Sequence, residues 1–492
     1  MTSKIKKILG LMLVLAMILS AGFGSSKVLA AGDNGEIKVT GTTQGKSYSA
    51  YKIFDLTQSG KNVSYTIAKE WEDFFTTGAG KEYIADQNDE QGNLNPIVVR
   101  GAVKYINITN ENIANFAKAA MGELNKEGIK KTKTEKASGN SVTFSELELG
   151  YYLVHPEGAT EKEEGQNSIV SLTSTTPSAE VKVKATYPTV EKKVDKPTAD
   201  IGQELTYTLT SKVPDTTGYS EYTFKMTDTL SKGLTFVSKP EDVTVTIGDE
   251  TITDNVTKNI KGQDLEVSFE MLNLQKKVGQ EIKITYKAKL NENAVITTGP
   301  NTNKVTLEYS NDPKNNDSTD TTTDEEKVFT AKVIVNKVDG KDQKALEGAK
   351  FKLKNNQNKY YQVNPSTKEV TWVDKKDEAT EVETKIGTDG NATASFEGLA
   401  AGKYKLEETK APDGYNLLTE EKEVEIKATK EDDGGAVTAI IDGQATVENN
   451  SGVELPGTGG MGTTLFAVLG GGIILISLYS LAKGKLKKKG TR

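Results

Sequence analysis

Short stretches in which apolar and polar residues alternate recur through most of the chain. Leu205, Tyr207 and Leu209 are separated by threonines. Longer runs of the same kind are Leu265, Val267, Phe269 and Met271, and Ile282, Ile284, Tyr286, Ala288 and Leu290. Alternation with a period of two is typical of strands that bury one face. The pattern therefore predicts β-sheets packed face to face in sandwiches.

Helical spacing of apolar residues is rare. The clearest case is the set Ile113, Phe116, Ala117, Ala120 and Leu124, which recurs at intervals of three and four residues. This spacing predicts one helix whose apolar side packs on the β-framework of the N-terminal region.

Two breaks in the pattern suggest domain boundaries. Tyr187-Pro188 precedes a new strand, and residues 311–327 are almost free of apolar side chains, which is typical of a linker. We therefore expect domains at 32–186, 187–327 and 328–454, each long enough for a core of its own. The predicted fold class is all-β, with three tandem immunoglobulin-like sandwiches, the first carrying a helical insertion.

The two ends of the chain have the composition of targeting segments. Residues 1–31 begin with three lysines, continue through an apolar run and end at Ala30 and Ala31, the layout of a secretory signal peptide. Residues 465–482 are apolar and precede a basic tail, as in a membrane span with a cytoplasmic end. The sequence predicts an exported protein with a membrane-spanning segment near its C-terminus, which is either a permanent anchor or a transient one.

Composition excludes several kinds of chemistry. The 492 residues include no cysteine and one histidine, His155, so disulfides, thiol catalysis and cysteine-ligated zinc are excluded. Acidic residues outnumber basic ones by 69 to 62, which argues against nucleic acid as a partner. No phosphate-binding loop, cofactor motif or metal cluster is present, and the aspartates of 311–327 fit no EF-hand spacing. We expect His155 to be a surface or hydrogen-bonded histidine and not a catalyst.

Six polar residues share the parity of the apolar residues in their predicted strands, so their side chains should point inward. They are Lys192, Asp228 and Asn303 in the middle domain and Lys337, Glu408 and Asn449 in the last domain. Isolated buried charges are costly, so each set of three should lie close together. One interpretation is a buried salt bridge with an amide neighbour, or edge strands whose charges reach water.

The alternative interpretation is a reaction between these groups. Burial lowers the pKa of a lysine and raises that of a carboxylic acid, which favours a neutral amine beside a protonated acid. Such an amine can attack the asparagine carbonyl while the acid polarises it, and loss of ammonia leaves a Lys-Asn isopeptide bond. The reaction occurs once in each molecule, so the protein would not be an enzyme.

Residues 455–459, Leu455-Pro456-Gly457-Thr458-Gly459, resemble the LPXTG sorting signal of Gram-positive surface proteins. The apolar segment and basic tail follow in the family's order. The resemblance implies that a sortase cuts between Thr458 and Gly459 and joins the Thr458 carboxyl to an amine. The mature protein would then be anchored in the cell wall.

Residues 404–415, YKLEETKAPDGY, resemble the E-box of Gram-positive pilus backbone subunits, with Glu408 at its glutamate. Residues 346–353 and Val447-Glu448-Asn449 are similar to strands of collagen-adhesin B-type (CnaB) domains. The resemblance implies CnaB/CnaA-like sandwiches and an isopeptide bond from Lys337 to Asn449, promoted by Glu408. The resemblance is weaker for the middle-domain residues Lys192, Asp228 and Asn303, which are assigned mainly from the alternation of side chains along their strands.

The N-terminal domain departs from this pattern. Residues 150–156, GYYLVHP, resemble the start of an E-box strand, but Pro156 stands at the position of the acid. We therefore expect no internal bond in this domain.

The family joins its subunits through a lysine in a Tyr-Pro-Lys motif, and Thr189 stands here in place of that lysine. Strand parity directs Lys192 inward and Lys193 outward, so Lys193 is the predicted polymerising amine, with Lys184 as the next choice.

These features predict the shaft subunit of a sortase-assembled pilus. Its implied partners are the sortase, identical subunits, minor pilins and peptidoglycan. The alternative is a monomeric wall-anchored adhesin that binds a host matrix protein.

Overall fold

The computed structural model describes residues 35–452, apart from 60–61, 93, 110, 161–169, 172–177, 184 and 432–434. The predicted signal peptide, sorting motif and apolar span lie outside these residues, as does Lys184. The chain forms two compact units. The first runs to Thr330 and the second begins at Ala331, with segments 366–369 and 432–437 grouped with the first.

The N-terminal sheets of the first unit are built from eleven described strands. These are β1 Gly35–Thr40, β2 Ser47–Ser59, β3 Asn62–Ile67, β4 Ile84–Ala85, β5 Asn95–Val99, β6 Ala102–Ile106, β7 Lys133–Lys136, β8 Ser141–Leu147, β9 Gly150–Pro156, β10 Val170–Ser171 and β11 Ser178–Lys182. One sheet has the order β11-β1-β8, and the other has the order β10-β9-β2-β3-β5-β6-β4, with β7 paired to β2.

Two short α-helices, α1 (Glu72–Thr76) and α2 (Ile113–Met121), accompany these sheets. Ile113, Phe116, Ala117 and Ala120 of α2 are buried, which confirms the helix that their spacing predicts. Short 3-10 helices occur in the first unit at Lys69–Trp71, Ala79–Tyr83, Pro240–Asp242 and Met271–Lys277, and in the second at Lys376–Glu378.

The expectation that His155 is exposed or hydrogen-bonded is wrong. It lies on β9, a strand whose seven residues are all buried. Tyr152 and Val154 pack in one core while Tyr151 and Leu153 pack in another, so β9 is covered on both faces. His155 is 6% exposed, and neither ring nitrogen has a hydrogen-bond partner in the described part of the chain. Burial lowers the pKa of His155 to about 4.

The middle sandwich of the first unit also has eleven described strands. These are β12 Glu191–Val194, β13 Glu204–Lys212, β14 Phe224–Leu230, β15 Leu234–Phe236, β16 Thr244–Ile247, β17 Glu250–Thr251, β18 Val256–Lys261, β19 Asp264–Phe269, β20 Glu281–Leu290, β21 Asn301–Ser310 and β22 Thr319–Val328. One sheet has the order β12-β13-β20-β16-β17, with β15 on β20, and the other has the order β18-β19-β14-β21-β22. Apolar residues of both sheets form one core between them.

Part of the predicted linker is instead a strand. β22 pairs with β21 in antiparallel register along its whole length, from Asn301 opposite Val328 to Ser310 opposite Thr319. Its sequence, TDTTTDEEKV, lacks apolar residues before the last position, which hides it from a search for hydrophobic alternation. Threonine favours strands, and acidic residues protect a sheet edge from further pairing. A polar edge strand is therefore consistent with this composition.

The second unit contains a further eleven described strands. These are β23 Ala331–Asp339, β24 Lys350–Lys354, β25 Tyr360–Val363, β26 Val370–Val373, β27 Val382–Glu383, β28 Lys385–Ile386, β29 Ala392–Leu399, β30 Gly402–Lys410, β31 Lys422–Lys430, β32 Val437–Ile441 and β33 Gly443–Asn449. One sheet has the order β28-β29-β23-β33, and the other has the order β26-β25-β24-β30-β31-β32, with β27 on β24.

The predicted all-β fold class is confirmed, because strands in several sheets dominate both units and helices are few. In the part of the chain that the structure describes, no helix is long and apolar enough to cross a bilayer.

Candidate functional site

The three polar residues singled out in the middle sandwich meet in its core. Lys192 lies on β12 in one sheet, whereas Asp228 on β14 and Asn303 on β21 lie in the other. β14 and β21 are neighbours, with Leu230 opposite Asn303 and Asp228 opposite Val305. Each of the three side chains shares its strand face with apolar core residues. Lys192 is 3% exposed, and Asp228 and Asn303 are fully buried.

Direct contacts join the lysine and the acid. The Lys192 amine donates a hydrogen bond to Asp228 Oδ2 and another, of 2.9 Å, to the Tyr286 hydroxyl. The same hydroxyl donates to Asp228 Oδ1 at 2.7 Å and accepts from Asn303 Nδ2 at 2.7 Å. The rings of Tyr207 and Tyr286 stack with centroids 5.5 Å apart and lie against the amine. The four polar groups thus form one connected network.

Tyr286 is the residue that the sequence interpretation missed. Its hydroxyl contacts all three reactive candidates, yet in the sequence it is one position of the apolar run on β20. The available signal was the hydroxyl itself, because a buried tyrosine needs a hydrogen-bond partner on an otherwise apolar face.

Burial moves both ionisable groups of this network toward their neutral forms. Removal from water lowers the pKa of Lys192 below its usual value, although the neighbouring Asp228 acts in the opposite direction. Burial likewise raises the pKa of Asp228 against the effects of Lys192 and Tyr286. Transfer of a proton from the lysine to the acid therefore costs less free energy than it would in water.

The second set of three residues meets in the core of the second unit, with a different arrangement. Lys337 on β23 and Asn449 on β33 lie on neighbouring parallel strands, where Lys337 is opposite Val447 and Asp339 is opposite Asn449. Glu408 lies on β30 in the facing sheet. Lys337 is fully buried, Asn449 is 2% exposed and Glu408 is 4% exposed.

Glu408 and Asn449 contact each other across the two sheets. Asn449 Nδ2 donates to Glu408 Oε2 at 2.9 Å and also to the main-chain carbonyl of Asn416. The amide of Leu418 donates to the same Glu408 oxygen at 2.7 Å. Lys337 donates to the carbonyls of Val338 and Val447, each at 3.1 Å. Burial lowers the pKa of Lys337.

The segment after the E-box strand closes over this site. Gly414 has a φ of 88°, a conformation that an L-residue rarely adopts. The turn places the Tyr415 hydroxyl 2.6 Å from Asp339 Oδ2 on β23, and Tyr415 also forms a bridge to Ser451. The E-box thereby connects the acid-bearing strand to both strands that hold Lys337 and Asn449.

Both asparagines share one unusual feature. Asn303 Oδ1 and Asn449 Oδ1 are buried and have no hydrogen-bond partner within the described residues, and Glu408 Oε1 is in the same state. Buried polar atoms are normally paired, so unpaired amide carbonyls in the same cores as Lys192 and Lys337 are a distinctive arrangement. These are the oxygens on which negative charge would develop if the lysine attacked the side-chain carbonyl.

The predicted polymerising amine lies outside this core. Lys193 is exposed on β12, opposite Thr208 of β13, while its neighbour Lys192 is buried. The alternative Lys184 and the motif residues Leu455 to Gly459 fall outside the described residues, so their placement stays a prediction.

Two family models match this chain. Residues 201–313 match a Gram-positive pilin backbone subunit 2, Cna-B-like domain, which contains Asp228 and Asn303. Residues 331–439 match the SpaA prealbumin-like fold domain, which contains Lys337 and Glu408. These two segments are therefore domains of the kind found in Gram-positive pilins. Each matched segment contains two of the three residues of one site, while Lys192 and Asn449 lie just outside the matched ranges.

Similar proteins have been described in streptococci. The trypsin-resistant surface T6 protein of Streptococcus pyogenes serotype M6 is 25% identical over 458 residues, which covers 83% of this chain and 75% of that protein. Platelet adherence protein A of Streptococcus gordonii is 28% identical over 270 residues, 54% of this chain but 5% of that protein.

A solved structure with a similar fold is the T6 backbone pilin of serotype M6 S. pyogenes, described as a modular three-domain structure. The match covers 86% of this chain and all of that one, with a TM-score of 0.52 and 19% identity. At this identity the likeness concerns the fold alone.

Proposed function

We propose that this protein is the repeating shaft subunit of a covalent pilus on a Gram-positive cell and that two internal Lys-Asn bonds strengthen it. The observation that carries the proposal is the burial of a lysine, an acid and an asparagine together in each of two sandwich cores. A salt bridge needs no asparagine. A lysine of lowered pKa beside an unpaired amide carbonyl is the arrangement that an acyl transfer requires.

In the middle sandwich, the proposed reaction starts with transfer of a proton from the Lys192 ammonium to Asp228. The neutral amine attacks Cγ of Asn303 and forms the new C–N bond. Asp228 and the Tyr286 hydroxyl then supply a proton to the amide nitrogen, which leaves as ammonia. Ammonium and carboxamide become a secondary amide and ammonia, with one proton released, and no oxidant or metal is consumed.

In the second unit, Glu408 plays the same part for Lys337 and Asn449. The Asn449 nitrogen faces Glu408 in the structure, whereas polarisation of the carbonyl requires its oxygen to face a protonated Glu408. A half-turn of the side-chain amide exchanges the two atoms. This orientation would place the unpaired Asn449 Oδ1 against the acid, where a hydrogen bond stabilises the developing oxyanion.

Each bond would close a loop of about 110 residues, which constrains the unfolded chain much as a disulfide does. The Lys337–Asn449 bond would join the first and last strands of the second unit, β23 and β33. Tension applied at the C-terminus could then pass from β33 to β23 without unfolding the sandwich.

We further propose that a sortase cleaves after Thr458 and joins its carboxyl to a lysine of the next subunit, for which Lys193 is the candidate. Successive head-to-tail bonds that do not close produce a filament. Export by the N-terminal signal, transient membrane anchoring and final attachment to peptidoglycan complete the proposed pathway. Minor pilins are further proposed partners.

The internal bonds can be tested by the intact mass of the exported chain, residues 32–454. The expected mass is lower than the mass calculated from the sequence, and the difference is two ammonia molecules of about 17 Da each. Asp228→Ala and Glu408→Ala should each show a deficit of only one ammonia relative to the mass calculated for that variant. An unreduced mass in the wild-type protein would contradict the proposed chemistry.

Polymerisation can be tested on denaturing gels of wall extracts. A shaft subunit gives a regular ladder of high-mass species, whereas the alternative, a monomeric adhesin, gives one discrete band. Lys193→Arg should abolish the ladder, and Lys261→Arg, an exposed lysine on β18, serves as the matched control. A ladder that survives in Lys193→Arg would assign the linkage to another lysine.

A further inference from the structure

A third cluster of a lysine and acids lies at the junction of the N-terminal sheets and the middle sandwich, within the first unit. Lys131 Nζ is 2.5 Å from Glu157 Oε1 and 2.6 Å from Asp312 Oδ2. Lys131 and Glu157 belong to the N-terminal region, in which Glu157 follows β9. Asp312 follows β21 of the middle sandwich. One amine therefore contacts carboxylates from both sides of the junction.

These three side chains are largely excluded from water. Glu157 is 9% exposed, Asp312 is 14% exposed and Lys131 is 21% exposed. The hydroxyl of Ser49, which is itself fully buried, donates a hydrogen bond to Glu157 Oε1. The carboxylate of Glu157 is therefore fixed in place before any reaction.

The groups that surround this cluster do little to stabilise the charges of Lys131, Glu157 and Asp312. His155, the Tyr51 hydroxyl and Asn311 Oδ1 lie near the cluster, and they are buried atoms without hydrogen-bond partners in the described part of the chain. Charged groups in such surroundings carry a desolvation cost. Condensation of an ammonium with a carboxylate removes both charges and expels one water molecule.

We propose that Lys131 and Asp312 condense to an amide that joins the N-terminal sheets covalently to the middle sandwich, with Glu157 as the acid–base group. This inference goes beyond the proposed function, because it concerns a bond across two sandwich regions and a different leaving group. The absence of an acid at position 156 predicts no internal bond within the N-terminal domain. The bond proposed here uses a different acid, Glu157, and leads to the middle sandwich.

The step balances without any co-reactant. The Lys131 ammonium passes one proton to Glu157, and Glu157 passes it to an oxygen of Asp312. The neutral amine attacks Asp312 Cγ, the C–N bond forms, and a second amine proton leaves with the hydroxyl as water. Ammonium and carboxylate thus become amide and water, and Glu157 returns to its starting state.

The charged form of Lys131 is favoured more strongly than that of the lysines in the two sandwich cores. Burial lowers the pKa of Lys131, but hydrogen bonds to Asp312 and Glu157 outweigh it and raise the pKa overall. The proton transfer is therefore uphill, and the bond should form more slowly than those of Lys192 and Lys337, whose pKa values are lowered.

The same junction provides a matched control. Lys46 contacts Asp320 Oδ2 at 2.8 Å and the Tyr309 hydroxyl at 2.7 Å. It thus joins the same two regions through an ion pair, but among the described residues it contacts one carboxylate and no second acid that could carry the proton. We expect no bond between Lys46 and Asp320.

The experiment follows the intact mass of residues 32–454 over days after purification and maps cross-links by tryptic digestion and fragmentation. The expected result is a slow loss of one water, about 18 Da, besides the two ammonia losses. A branched peptide should join Lys131 to Asp312, and trypsin should no longer cleave after Lys131.

Variants make the assignment specific. Glu157→Gln and Lys131→Arg should abolish the water loss, and Asp320→Ala should leave it unchanged. Asp312→Asn keeps the shape of the side chain and should change the leaving group from water to ammonia, which reports the reaction independently of any effect on folding.

Absence of the branched peptide from a fully matured wild-type sample would overturn the inference and leave an ion pair alone at this site. That result is distinguishable from failure of the proposed function. The two ammonia losses map to other peptides, and the pilus ladder does not depend on Lys131.

Discussion

Replacement of Glu408 by alanine isolates the acid from the rest of the site in the second unit. Glu408 is 4% exposed and contacts Asn449 Nδ2 at 2.9 Å and the Leu418 amide at 2.7 Å. The variant keeps both Lys337 and Asn449, so the reacting atoms remain while the proton carrier is lost. The expected result is a mass deficit, relative to the mass calculated from each sequence, that is one ammonia smaller in the variant than in the wild type.

The cost in stability follows from the length of the loop that the bond closes. Cross-linking Lys337 to Asn449 encloses about 110 residues, for which chain entropy predicts about 5 kcal/mol. For a domain of this size, that loss lowers the midpoint of thermal unfolding by roughly 20 °C. The effect should be confined to the transition of the second unit, because the middle-sandwich bond is untouched.

Glu407→Ala is the matched control, because it removes the same side chain from the adjacent position of β30. Glu407 lies on the opposite face and pairs with Lys354 and Lys376. Partly exposed pairs of this kind contribute about 1 kcal/mol or less. Scanning calorimetry and mass spectrometry on the same samples separate the two effects.

Two outcomes would refute the reasoning about Glu408. A mass deficit in Glu408→Ala equal to that of the wild type would show that the bond forms without this acid, or not at all. A deficit smaller by one ammonia without a fall in the unfolding temperature would show that the closed loop does not stabilise the unit.

Two further predictions concern buried side chains of the first unit. Tyr286→Phe should slow formation of the Lys192–Asn303 bond, measured as ammonia loss over time, because it removes the hydroxyl that contacts lysine, acid and amide; an unchanged rate would exclude a role for the hydroxyl. The pKa of His155 is lowered from 6.5 to about 4, so the unfolded state binds its proton first as the pH falls. Stability should therefore be complete above pH 6.5 and decrease by about 3 kcal/mol toward pH 4, as measured by urea unfolding; His155→Leu should remove this part of the decrease, and an equal decrease in that variant would contradict the assignment.

Strand parity was sufficient to identify which polar side chains point into the cores. Val333, Val335 and Lys337 alternate on β23, and all three are buried. The reason is local, since successive side chains of a strand point to opposite faces. The pairing of Lys337 with Asn449 depends instead on the parallel register of β23 and β33, which brings together residues far apart in the chain and is invisible to periodicity.

The incorrect predictions for His155 and for the segment that forms β22 have the same physical origin. His155 is buried because β9 is covered on both faces, and the second cover comes from residues distant in sequence. β22 is a strand because β21 offers it a complete edge to pair with, although its own sequence contains little apolar surface. Tertiary contacts decided both cases against the local pattern.

The two sites differ in their acid, aspartate in one and glutamate in the other. The difference is consistent with which side chain reaches across from the facing sheet. Packed sheets are about 10 Å apart. In the middle sandwich, Asp228 and Asn303 lie on neighbouring strands, so a short acid is sufficient and Lys192 spans the gap. In the second unit, Lys337 and Asn449 are the neighbours, so the acid comes from the facing sheet and the longer Glu408 is needed. If these groups react as proposed, aspartate and glutamate should therefore not be interchangeable, because the strand order sets the distance that each acid has to span.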